Sequence, residues 1–90
     1  MENNGGKQLS GKRFVLFHSS NSVLGAKFAA QICEAVPGIE LEKVDIEKEK
    51  DLASQMNIRV SPILFVYQDG NLINSYTYSQ KDDLICFLKS

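Results

Sequence analysis

The run Phe14-Val15-Leu16-Phe17 is apolar with no polar alternation, the pattern of a strand covered on both faces. Behind it comes the polar cluster Ser19-Ser20-Asn21-Ser22, a natural set of helix N-cap side chains. Leu24, Phe28, Ala29, Ile32, Cys33 and Val36 then recur at spacings of three and four, which predicts an amphipathic helix ending before Pro37-Gly38. From Ile39 to Ile46 the pattern alternates and then shifts phase, with Leu41 and Lys43 on one face and Val44 and Ile46 on the other. That suits a strand inside a sheet. Leu52 and Met56 at i,i+4, with Ala53 beside them, predict a short helix over residues 47–56, and Asn57 is placed to end it in the left-handed conformation.

Ile63 to Tyr67 reads as a strand, Gln68-Asp69-Gly70-Asn71 as a tight turn, and Leu72 to Tyr78 as the hairpin partner. Ser79 and Asp82 approximate a capping box that opens a last helix, with Leu84, Ile85 and Leu88 as its buried stripe. The order is β-α-β-α-β-β-α, without repeat or linker, an α/β chain with a four-stranded mixed sheet and helices on both faces. Residues 1–11 carry no periodicity and read as a flexible lead; 12–90 form the domain.

Ninety residues, 43% of them hydrophobic and 23% charged, allow one core and no more. A net charge of −1 supplies no field for phosphate backbones or anionic lipid, so nucleic acid and membrane are not expected partners. The charge-dense stretch Glu40 to Asp51 reads as a solvated face. Met1 to Gln8 lacks the apolar run of a signal peptide, and the longest hydrophobic run, Ile63 to Tyr67, is far too short to span a bilayer, so a cytoplasmic location is expected. Cys33, Cys86 and the single histidine His18 are not at metal-ligand spacing; neither a metal nor a cofactor is expected.

With these elements in order, residues 13–90 resemble the thioredoxin family. The resemblance is carried by Val15-Leu16-Phe17 before a polar loop and helix, by Lys43-Val44-Asp45-Ile46-Glu47 before the second helix, by Asn57-Ile58-Arg59-Val60-Ser61-Pro62 entering the third strand, and by Gln68-Asp69-Gly70-Asn71 in the hairpin. A dozen leading residues leave no room for the extra N-terminal strand and helix of many thioredoxins, so the chain looks like a minimal, glutaredoxin-sized version of that fold.

The resemblance implies a Cys-x-x-Cys at the mouth of the first helix, five residues past the strand's aromatic. There the helix N-terminus lowers the first thiol's pKa and the second thiol resolves the mixed disulfide. Counting from Phe17, these positions fall on Ser22 and Gly25, and neither supports thiol exchange. The buried proton-shuttling Asp of the family falls on Leu16. Pro62 matches the family's cis-proline, which would leave the backbone of Ser61 to pair with an extended segment. Lys43 matches a lysine near the missing Asp and must reach solvent or another acid.

Other chemistry is thin. A catalytic Ser22 would need His18 as base, whereas Ser22 or Asn21 as a cap stabilises the helix by about 1 kcal/mol. No catalytic residue is assigned. His18 either touches a partner or is a loop histidine half in water, and Tyr76 and Tyr78 are either groove recognition residues or packing residues. Cys33 lies roughly 16 Å along the helix from Ser22 and is expected, like Cys86, in an apolar setting. The resembled fold puts the first and last helices on one side of the sheet, where the two cysteines could meet.

The expected function is a redox-inactive thioredoxin-like module. It would take a protein or peptide segment in a groove formed by His18, Ser19, Ser20, Asn21, Ser22 and Val23, by Val60, Ser61 and Pro62, and by Tyr76 and Tyr78. The alternative is a thiol-disulfide oxidoreductase or glutathione-using protein working through a non-standard cysteine. A natural loop with cysteines at 19–22 would leave Gly25 and Leu16 unexplained.

Overall fold

The computed structural model describes residues 11–90. Its elements are β1 (Lys12–His18), α1 (Val23–Ala35), β2 (Leu41–Asp45), α2 (Lys50–Gln55), β3 (Ile63–Gln68), β4 (Asn71–Thr77), a single 3₁₀ turn (Tyr78–Gln80) and α3 (Lys81–Lys89). The lead read over residues 1–11 lies outside the described residues except for Gly11. That glycine, at φ +74°, accepts from the Asp69 amide at 2.8 Å, and a Cβ there would run into the Asp69 carboxylate.

The four strands are ordered β2-β1-β3-β4. β1 pairs parallel with β2 (Phe14 opposite Leu41, His18 opposite Asp45) and antiparallel with β3 (Lys12 opposite Gln68, Phe17 opposite Ile63). β4 returns antiparallel from β3 through the Asp69-Gly70 turn, where both residues have positive φ, at 53° and 87°. The uninterrupted apolar run of β1 is thus explained: Phe14, Val15, Leu16 and Phe17 are buried alternately under the two helical layers.

On one face, Phe14, Leu16, Leu64 and Val66 meet Phe28, Ala29 and Ile32 of α1 and Leu84 of α3. On the other, Val15, Phe17 and Phe65 lie under Leu52 of α2 and Met56, the residue that caps it. Among the described residues no helix is long and apolar enough to cross a membrane, and no group of three or more metal-ligating side chains gathers.

Several expectations are corrected. β2 is an edge strand, not an inner one, which is why it carries exposed Glu42 and Lys43 between half-buried Leu41 and Val44. α2 is shorter than residues 47–56, because Asp45 draws residues 46–49 into a turn: its carboxylate accepts from the Glu47 amide at 2.9 Å and its carbonyl from the Lys48 and Glu49 amides. Asn57 ends α2 at φ +57°, as its type predicts.

β4 stops at Thr77, and the capping box joins Thr77 to Gln80 rather than Ser79 to Asp82; the Thr77 amide donates to Gln80 Oε1 at 2.9 Å. On α3 the residues packed against the core beside Leu84 are Phe87 and Leu88, in place of the expected Ile85. Leu24 and Cys33 fall off the buried stripe of α1 and are exposed, while Gly25 is buried.

Candidate functional site

The pairing registers bring the ends of three strands together. Phe17 at the end of β1 lies opposite Ile63 at the start of β3, and Ile63 lies opposite Thr77 at the end of β4. The loop 18–22 into α1, the loop 57–62 into β3 and the turn after β4 therefore open on the same end of the sheet. This is the end at which the sequence places its candidate residues.

The loop into α1 is held from below. The Ile46 amide donates to the His18 carbonyl at 2.8 Å, the Ser22 amide to the Ser19 carbonyl at 3.0 Å, and the Ser19 hydroxyl to Glu47 Oε2 at 2.6 Å. Asp45 lies beneath it, its carboxyl held below the usual aspartate range. The Glu47 amide contributes most to that shift; after it, opposed by desolvation, come the Ser20 hydroxyl, the Lys48 amide and the nearby His18.

Ser22 is the N-cap of α1. Its backbone is extended (φ −90°, ψ 118°), and its Oγ accepts from the Gly25 amide at 3.1 Å, satisfying a donor that the helix itself leaves open. The Ser22 hydroxyl, at the position expected for a first thiol, therefore has a structural partner already. At the second position Gly25 is buried, and a Cβ built on it would stand 3.0 Å from the His18 Cβ. A side chain there requires the end of β1 to give by a few tenths of an ångström, so a second thiol does not fit this backbone unmoved. His18 itself is half-buried, with Nδ1 3.4 Å from the Ser19 carbonyl.

Across from the loop, the Ser61–Pro62 peptide bond is cis, Pro62 is buried and Ser61 is exposed. Val60 beside it is 52% exposed, and at the start of α1 Val23 and Leu24 are 70% and 46% exposed. These three apolar side chains are left uncovered around a loop that is otherwise polar. Leu24 was not among the expected site residues, because helical periodicity assigns it to the core; Gly25 below it takes that buried place instead.

The tyrosines lie on the α1 and α3 side, half-buried. The Tyr78 ring stands edge-on to Phe28 with centroids 5.6 Å apart, the Lys81 ammonium is 5.0 Å from its ring centre, and its hydroxyl accepts from Gln31 Nε2 at 3.4 Å. Tyr76 packs against Phe87 at 6.0 Å; burial, and secondarily the charge of Asp83, raises its pKa above the ordinary phenol value. Leu16, at the position of the family's buried acid, is 1% exposed within the apolar core, and Lys43, its neighbour on β2, is exposed. The cysteines depart from expectation: Cys33 and Cys86 are both free and both exposed. They lie on the solvent-facing sides of α1 and α3, away from the mouth of α1.

The sequence profile described as Thioredoxin matches residues 23–90. This chain belongs to the thioredoxin family. The profile begins one residue beyond Ser22, so it spans the helices, β2 to β4 and the Ser61-Pro62 loop, but not Ser22. A search of curated proteins finds no match to the sequence.

Among solved structures, an N21Q mutant thioredoxin from Halobacterium salinarum NRC-1 superposes with a TM-score of 0.74 at 16% identity, over 88% of this chain and 73% of that one. Oxidised mitochondrial thioredoxin 3 from Saccharomyces cerevisiae gives 0.71 at 18% identity over 88% and 77%. Oxidised thioredoxin from Plasmodium falciparum gives 0.68 at 17% identity over 97% and 94%. At these identities the likeness is one of fold.

Proposed function

We propose that this chain is a redox-inactive member of the thioredoxin family that holds an extended segment of a partner protein at the loop end of its sheet. The observation that carries the reading is the pair of positions where a dithiol would stand. Ser22 is engaged as a helix cap and Gly25 is closed over by His18, so neither position exchanges thiols. What supports binding is the surface left around them. Val23, Leu24 and Val60 are exposed, and the backbone of Ser61 lies beside a cis proline with its side chain in solvent. An extended segment would take its hydrogen bonds from Ser61 and seat an apolar side chain between Val60 and the start of α1. His18 to Ser22 would form the polar wall of this groove, and Tyr76 and Tyr78 its far border. No cofactor or metal enters this reading.

The test is a disulfide-reductase assay run beside a binding assay. With dithiothreitol as reductant, the protein is expected to give no acceleration over dithiothreitol alone. Panning an extended-peptide library is expected to yield binders that Val60→Lys with Ser61→Lys no longer retains. Acceleration of reduction by the unaltered chain would overturn the redox-inactive reading, and binders indifferent to the double change would remove the groove.

A second reading has one observation in its favour. Both cysteines are exposed, so a thiol is within reach of a disulfide or of glutathione. In that case the Cys33→Ser/Cys86→Ser protein would lose a reductase activity that the parent shows.

A further inference from the structure

We draw no further inference here: the strongest candidate, the open cleft on the α2 face of the sheet, floored by Val15, Val44 and Tyr67 and rimmed by the mutually paired Arg13 and Glu42, carries nothing because nothing in the structure shows what covers it.

Discussion

The two faces of the sheet differ in how completely they are closed. Over one face lie α1 and α3, and the side chains between helix and sheet are sealed: Phe28, Ile32, Leu64, Val66 and Leu84 have no exposed surface. Over the other lies α2 alone, six residues long; its Leu52 and the capping Met56 are half-buried. Beside α2 the sheet carries an open cleft of about 250 Å³ floored by Val15, Val44 and Tyr67 and rimmed by Arg13 and Glu42. One face is thus closed to water, while the other is nearer a covered surface. Stability should be concentrated on the α1–α3 face, and substitutions of equal size should cost more there.

The sharpest way to break this comparison is to truncate one side chain on each face. Phe28→Ala should cost about 3–5 kcal/mol, enough to unfold much of the population of a domain this small. Leu52→Ala on the α2 face should cost about 1–2 kcal/mol, since only part of its surface leaves water. Urea denaturation of both variants gives the ratio, and equal losses would refute the asymmetry.

Next in size is the cap at the boundary between core and site. Ser22→Ala removes the acceptor for the Gly25 amide and should lower stability by about 1 kcal/mol, with Ser22→Asp retaining it. In the Cys33→Ser/Cys86→Ser background, replacing Ser22 by Cys should give a folded protein with one thiol, measurable by its rate of alkylation.

On the α2 face the Arg13–Glu42 pair is bidentate, and each partner shifts the other's pKa toward the charged form, chiefly through their side-chain hydrogen bonds. It is nonetheless solvent-exposed, so a double-mutant cycle should return little coupling, and less still in high salt.

The smallest effect is a pH dependence. The Asp45 carboxyl is lowered in the folded chain relative to the unfolded one, so its contribution is full above the unfolded value of about 3.9 and is lost as pH falls through the folded pKa. Asp45→Asn should flatten the acid limb of the urea midpoint plotted against pH; an unchanged limb would assign it to other carboxylates.

The architecture was legible because its signals are redundant. The continuous apolar run of β1, the three-and-four spacing of Phe28, Ala29 and Ile32, and the Asp69-Gly70 turn each state a local geometry, and one topology satisfies all of them. Edges were harder to read. β2 and an inner strand share the same apolar spacing, and the local mark of an edge, the charges of Glu42, Lys43 and Asp45, reads equally well as part of a solvated face. Helical periodicity also misled at Leu24 and Cys33, because it cannot register that a glycine, Gly25, takes the innermost place on α1 and so rotates its buried face. At the site, the cap at Ser22 follows from residue type alone. The contact between His18 and the Gly25 position does not, since it joins a strand end to a helix seven residues on and depends on how closely the two backbones approach.

The sheet order also sets a schedule for folding. β3 and β4 are joined by a two-residue turn and can pair within microseconds, whereas β1, first in the chain and central in the sheet, must wait until the loop of residues 19–62 has closed to bring β3 alongside. β1 is then the strand whose docking limits the rate. Val66→Ala, in the hairpin, should give a high φ-value.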